Sequence, residues 1–258
     1  MKNPLSERVQ VILIWWALIT MVIFGACLWT LLHMVPPPSP QLPAAQIAEF
    51  YRQNSSQILV GAMITSWTSA FMVPLAVAIS AQMWRLEKGV PVCSIAQIIG
   101  GATMSMFLVF PPIIWGVAAF APDRAPEITA MLHQAGALVL VTTDQYYMFQ
   151  LFAIIYFSWT HEQDELSPFP RWMGWLTLWA GLIYEVGPIG FMFKHGPFAW
   201  NGLFVFWFPF VTFGLWITVM SVMLLRSIGR QRAALSGSAS ATGRADPAVA
   251  IGTRPVTP

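Results

Sequence analysis

Long runs of apolar positions, separated by short polar segments, dominate the chain. Runs of about 20 residues or more are long enough to cross a hydrocarbon core as helices. They cover approximately residues 10–34, 57–83, 92–120, 133–159, 172–193 and 200–225. In lipid the backbone groups must be hydrogen-bonded internally, so each run predicts a helix. The pattern therefore predicts an all-α integral membrane bundle of six transmembrane helices within residues 1–230.

Composition supports this class of protein. Hydrophobic residues make up 57% of the chain and charged residues 9%, whereas soluble domains average about 45–50% and about 25%. The mean hydropathy is +0.63. These values exclude an ordinary soluble domain, and without a basic cluster we expect no nucleic-acid partner. The membrane itself is the predicted environment.

Positive charge falls mainly on one side of the predicted bundle. That side carries Lys2, Arg8, Arg85, Lys88, Arg171, Arg226, Arg230, Arg232, Arg244 and Arg254. The other side carries Arg52, Arg124 and Lys194. Because Lys and Arg accumulate in cytoplasmic loops, the pattern predicts cytoplasmic N- and C-termini.

Two polar segments lie outside the six runs. Residues 35–56 begin with the proline-rich "VPPPSPQLP" and continue with "AAQIAEFYRQN". The second part predicts either a short amphipathic helix on the outer membrane surface or a plain connecting loop. Residues 231–258, rich in Ser, Ala and Gly, predict a disordered cytoplasmic tail.

Four stretches resemble a known family. They are "LLHMVPPPSPQLPAAQIAEFYRQN", "PPIIWGVAAFAPDRAPEIT", "FPRWMGWLTLWAGL" and "HGPFAWNGLFVFWFPFV". Together they are similar to a functionally uncharacterised family of small multi-pass membrane proteins from actinobacteria and proteobacteria, over most of residues 30–225. The resemblance implies a bacterial inner (plasma) membrane location and assigns no chemistry.

Two acidic residues fall inside apolar runs. Asp144 lies in "TTDQYY" of the fourth run, and Glu185 lies in "IYEVGP" of the fifth. An ionised carboxylate in the middle of a membrane helix costs roughly 2.5–3.5 kcal/mol on insertion scales. Counted from the outer helix ends, both lie about 14–17 Å deep at 1.5 Å per residue. Neighbouring antiparallel helices would bring the two carboxyl groups close together.

Polar neighbours suggest a cavity around this pair. The fourth and fifth runs contribute Thr143, Tyr147, Gln150 and Tyr184, and the third and second contribute Gln97 and Ser66. In this hypothesis Asp144 and Glu185 are catalytic, and the other six side chains bind substrate. Desolvation favours a protonated carboxyl, which can act as a general acid. The competing interpretation is that the acids only hydrogen-bond between helices.

Metal and cofactor chemistry finds no support in the residue pattern. The histidines His33, His133, His161 and His195 contain no pair at i, i+3 or i, i+4 spacing, unlike helical zinc sites. There is also no phosphate-binding loop, dinucleotide fingerprint or aspartate-rich prenyl-diphosphate motif. We therefore predict no metal and no cofactor.

Three functions from different classes stay open. The first is an intramembrane enzyme that cyclises or isomerises an isoprenoid- or steroid-like molecule by acid–base chemistry, in analogy with membrane terpene cyclases. The second is a non-catalytic subunit or lipid-binding partner of a membrane complex. The third is a small proton-coupled transporter, functioning as a homo-oligomer.

Overall fold

The fold is built from α-helices joined by short turns. The computed structural model describes residues 6–164 and 166–243, and within those ranges it contains no strand. The helices are α1 (Glu7–Thr30), α2 (Ala44–Thr68), α3 (Met72–Trp84), α4 (Val92–Phe120), α5 (Pro126–Thr142), α6 (Met148–Thr160), α7 (Arg171–Tyr184) and α8 (Phe208–Gly243). The all-α prediction is confirmed.

Four helical segments are long and apolar enough to cross a membrane. They are Glu7–Thr30, Ala44–Trp84, Val92–Phe120 and Leu203–Ser236. The second joins α2 to α3 through a 3-10 turn, Ser69–Phe71. Large apolar side chains, such as Trp67 and Phe120, stand exposed on the outside of the bundle. Apolar surface on this scale marks a membrane-facing protein.

The fourth and fifth apolar runs do not form unbroken helices. The fourth is divided by a 3-10 turn, Asp144–Tyr146, that separates α5 from α6. Just before it, the Thr143 hydroxyl donates to the Val139 carbonyl of the preceding helical turn. The fifth ends at Tyr184 and continues as a 3-10 segment, Gly187–Met192. Pro188 lacks the N–H that a continuing α-helix requires.

Both interpretations of residues 44–54 are wrong. This stretch is the first part of α2 and runs without interruption into the membrane-crossing portion. Ile47 and Tyr51 are buried inside the protein, so the apolar face packs on neighbouring helices rather than on lipid headgroups. The apolar periodicity correctly predicted a helix. The surface on which its apolar face packs was predicted wrongly.

The prediction of disorder is wrong for residues 231–243. α8 continues to Gly243, so these residues are helical. Residues 244–258 lie outside the described part of the chain. Gln231, at the start of this stretch, is buried against the bundle.

A helix made of apolar and small residues stands at the centre of the bundle. α4 packs against α2, α3, α5 and α6. Its Gly100 lies against the backbone of α6, where an added Cβ would be 2.5 Å from the Gln150 nitrogen. Glycine is therefore required for the close approach of the two helices.

Three glutamines tie together one end of the bundle. Gln82 of α3 donates from Nε2 to Gln10 Oε1 of α1 over 2.7 Å, and Gln231 of α8 donates to Gln82 Oε1 over 2.9 Å. Next to them, Arg85 donates to the Leu166 carbonyl over 2.7 Å. Burial lowers the pKa of the Arg85 guanidinium, an effect that the charge of Asp164 opposes.

Candidate functional site

An apolar cavity of about 250 Å³ lies in the half of the bundle away from the glutamines. Its walls come from α1, α4, α5, α7, α8 and the segments between helices. They consist of Met21, Phe24, Gly25, Leu28, Met34, Val35, Phe71, Met104, Leu108, Leu140, Val141, Tyr147, Tyr184, Val205, Phe206, Pro209, Phe210, Phe213 and Gly214. Of these described residues, only the two tyrosines carry a hydroxyl, and none carries a charge.

Irregular backbone converges on this cavity. The turn Ser69–Phe71 supplies Phe71, and the break between α5 and α6 supplies Tyr147. Tyr184 is the last residue of α7, and the π-helical turn Leu203–Trp207 supplies Val205 and Phe206. Non-helical backbone at membrane depth is tolerated where it is buried in protein or lines a cavity. The four interruptions of regular helix therefore all lie in the wall of the cavity.

Aromatic rings form one wall of the cavity. The Tyr147 ring lies 5.7 Å from that of Tyr184 and 5.8 Å from those of Phe213 and Trp216. Trp216 is fixed in turn by donating from Nε1 to the Thr177 hydroxyl over 3.0 Å. Edge-to-face contacts of this kind are individually favourable. They hold both tyrosine rings in the wall.

The segment that leads from α1 into the proline-rich stretch lies against one end of the cavity. It contributes Met34 and Val35 to the wall. The Pro38 carbonyl accepts a hydrogen bond from Trp200 Nε1 over 2.9 Å and lies 3.4 Å from His133 Nε2. Because a carbonyl only accepts, this Nε2 carries the proton.

His133 also reaches a second helix. Its Nδ1 is 3.1 Å from the Tyr51 hydroxyl of α2. With the proton on Nε2, Nδ1 accepts from Tyr51. The buried histidine therefore links α2, α5 and the proline-rich segment, and its role here is to hold that segment.

The structure brings two predicted substrate-binding residues to the cavity. Tyr147 and Tyr184 come from different runs, yet they are adjacent in its wall. Their depth agrees with the expectation that the middle of the fourth run meets the middle of the fifth. The tyrosines, rather than the neighbouring acids, are the side chains seen to meet.

Gln97 and Gln150 were expected in the same cavity and are elsewhere. Gln150 of α6 donates from Nε2 to Gln97 Oε1 of α4 over 2.9 Å. Gln97 then donates to the Ala76 carbonyl over 2.6 Å and to the Ser80 hydroxyl. Neither amide lines the cavity, and both are fully buried between helices. Their polar groups serve interhelical hydrogen bonding, which lipid-embedded helices use to associate.

The other two predicted contacts also lie outside the cavity. Thr143 bonds to its own helix at Val139. Ser66 donates to the Ala62 carbonyl over 2.7 Å and lies in a shallow open groove between α2 and α4. Hydroxyls of this type commonly return their hydrogen bond to the preceding turn, a use that spacing alone does not reveal.

The two acids are not seen as an enclosed pair. Glu185 follows the last residue of α7 and its side chain is exposed at the protein surface, so the prediction that it is buried between helices is wrong. Asp144 begins the turn between α5 and α6, and its side chain lies outside the described part of the structure. The proposed proton exchange between the two acids stays a prediction.

No group of three or more potential metal ligands occurs in the parts of the chain that the structure describes. His33 faces Gln57 Oε1 at 2.9 Å, and His161 Nδ1 lies 2.7 Å from the Phe157 carbonyl. His195 is exposed. The histidines are thus distributed over separate local contacts.

Most of the cavity wall was missed by sequence reasoning. Met104, Leu108 and Phe213 are apolar residues in apolar helices, and nothing in such a run separates a residue facing a cavity from one in a packed core. Gly25 and Gly214 were the available signal. Each is a small residue in a membrane helix, yet a Cβ at either would meet no described atom within 4 Å.

Comparison with known proteins found no matching family model, no matching curated protein and no matching solved structure.

Proposed function

We propose that the protein is a six-crossing protein of the bacterial inner membrane, with both termini in the cytoplasm, that holds a lipophilic small molecule in this cavity. The observation that carries the proposal is the cavity itself, whose walls are apolar and aromatic and include two tyrosine side chains. Ligand sites are typically lined mainly by hydrophobic and aromatic side chains.

The six crossings combine four long helices with two broken ones. α7 spans about 21 Å at 1.5 Å per residue, and the 3-10 segment adds about 12 Å at 2 Å per residue. Together they reach across a hydrocarbon core of about 30 Å. The pair α5 and α6 is longer still. Charge asymmetry then supports cytoplasmic termini.

The size of the cavity restricts what it encloses. A cavity of about 150 Å³ holds one benzene molecule, so about 250 Å³ takes on the order of ten carbon atoms. This favours an isoprenoid-like or acyl segment over an entire steroid ring system.

The proposal is tested by identifying what the protein carries. Protein extracted from its own membrane in polymer-bounded discs should contain a lipophilic molecule, identified by mass spectrometry, in near-equal amount to protein. Leu108→Trp places a larger side chain in the cavity and should reduce that amount at least tenfold. Leu182→Trp is the matched control, because Leu182 is exposed on α7. Wild-type protein without a specific molecule would overturn the proposal.

Chemical conversion of the ligand is a second candidate function. Tyr147 and Tyr184 meet in the cavity, and Asp144 and Glu185 lie within three residues of them along the chain. An acid near the ligand supports cyclisation or isomerisation by proton transfer. With the molecule identified, Asp144→Asn should abolish its conversion and leave its binding intact. If this variant converts it at the wild-type rate, the protein is a binder or a subunit only.

A further inference from the structure

We infer that the cavity opens sideways into the membrane between α1 and α8, and that one hydrocarbon chain of a membrane lipid occupies it through this opening. The inference rests on the proposed binding function and adds the ligand class and its path.

The wall of the cavity is more exposed on α1 and α8 than on α4. On α4, Met104 and Leu108 are buried, as is Phe71 in the neighbouring turn. On α1 and α8, by contrast, Met21, Gly25, Phe213 and Gly214 are partly exposed and Phe210 is exposed. The cavity therefore reaches the protein surface where these two helices face each other.

Glycines keep this opening wide. Gly25 on α1 and Gly214 on α8 both line the cavity. A Cβ at either position would touch no described atom within 4 Å, whereas a Cβ at the buried Gly100 would collide with α6. Close packing therefore does not require glycine at positions 25 and 214. Glycine at these two positions leaves open space between α1 and α8.

The rim of the opening is apolar. Next to Gly25, Val22 is 63% exposed, and next to Gly214, Val211 and Leu215 are 59% and 48% exposed. Side chains of this kind face hydrocarbon in a membrane protein. Passage across such an apolar rim is unfavourable for water and free ions, whereas an acyl or prenyl chain crosses it without being exposed to water.

Depth supports the same occupant. Gly25 lies five residues before the end of α1, and Gly214 lies 11 residues after the start of the membrane-crossing segment Leu203–Ser236. At 1.5 Å per residue these distances are about 8 and 17 Å. Both glycines therefore lie inside apolar membrane-crossing segments, among lipid chains. A chain segment of about ten carbons fills the cavity while the remainder of the lipid stays in the leaflet.

The test uses full-length protein in lipid nanodiscs that contain a phospholipid with a photoreactive diazirine near the end of one acyl chain. After illumination, peptide mapping should find labels on cavity residues such as Met104 and Leu108. Gly25→Leu, Gly214→Leu and the double variant narrow the opening and should reduce cavity labelling at least tenfold. Labelling of exposed Trp29 should be unchanged. A second experiment uses a diazirine-bearing prenyl alcohol. Comparing the cavity labelling by the two probes shows whether the cavity takes a straight acyl chain or a branched prenyl chain.

Gly229→Leu is the matched control. Gly229 also lies on α8, and its Cβ would meet no described atom within 4 Å, but it is far from the cavity. Leucine favours helix over glycine, so all these variants should fold. Cavity labelling that persists in the double variant overturns the sideways opening and leaves the binding function standing. Wild-type protein whose cavity is labelled by neither probe overturns both.

Discussion

A single amide pair couples α4 to α6. Gln150 Nε2 has the Gln97 oxygen as its acceptor, 2.9 Å away, in surroundings where both side chains are fully buried. Removing one partner from such a pair leaves a buried donor unsatisfied, which costs about 1–3 kcal/mol. We therefore expect Gln97→Met to lower the thermal unfolding temperature of the purified protein and to leave the amount of bound ligand unchanged.

The double variant Gln97→Met/Gln150→Met is the control for this expectation. Replacing both partners with apolar groups of similar shape is close to neutral, so it should recover most of the lost stability. If Gln97→Met instead removes the ligand while stability is unchanged, the amide belongs to the binding site and its assignment to helix packing is wrong.

At the residue scale, the sequence identifies polar positions better than their partners. Tyr147 and Tyr184 were correctly expected to share one region, because both lie at the middle of neighbouring apolar runs. Gln97 and Ser66 were expected there for the same reason and point elsewhere. A polar residue in a helix faces one of several sides, and small differences in helix rotation decide which. Those rotations depend on tertiary packing.

Glycine decides how closely two elements approach. At Gly100 an added Cβ would be 2.5 Å from the backbone nitrogen of Gln150, and backbone cannot move aside as a flexible side chain can. Overpacking of this kind costs about 1–3 kcal/mol. We expect Gly100→Ala to destabilise the protein by that amount in thermal or denaturant unfolding in detergent micelles.

Gly229→Ala provides the comparison, because the exposed end of α8 has room for the methyl group. There alanine should be neutral or stabilising by up to about 1 kcal/mol through its helix propensity. Equal effects at positions 100 and 229 would mean that the contact between α4 and α6 is looser than described.

Element boundaries were predictable where chemistry is local. Pro188 indicates that a helix cannot continue normally, and α7 ends four residues earlier, at Tyr184. Pro111 and Pro112, in contrast, lie inside α4 without ending it, and both are buried in the bundle. The interruption at Asp144–Tyr146 has no proline at all. The threonine bond beside it does not predict it either, because Thr103 and Thr177 make the same bond inside unbroken helices.

The orientation of the whole molecule has a direct test. Cysteines introduced at the exposed positions Asp123 and His195 should react with a membrane-impermeant maleimide on intact cells. Cysteines at the exposed Lys88 and Glu162 should react only after the membrane is permeabilised. This is the outcome expected when Lys- and Arg-rich segments are cytoplasmic. The wild-type chain, with Cys27 buried and Cys93 half-buried, serves as the background.

Two patterns of labelling would contradict the proposed topology. If positions 162 and 195 react from the same side, α7 and its 3-10 segment do not cross the membrane. If the sides are reversed throughout, the six crossings stand but the termini are outside. Composition alone predicted the class of protein, whereas the number of crossings depends on the two broken segments.

The three linked glutamines have a mechanical consequence. They fix α1 and α8 to α3 at one end, while Gly25 and Gly214 leave unfilled space on the same two helices towards the other. From Gln10 to Gly25 and from Gln231 to Gly214 the lever arms are about 23 and 26 Å at 1.5 Å per residue. A tilt of only about 5° around the fixed end moves such an arm tip by about 2 Å. The amide contacts at the fixed end therefore limit how far α1 and α8 can separate near Gly25 and Gly214, about 23–26 Å away.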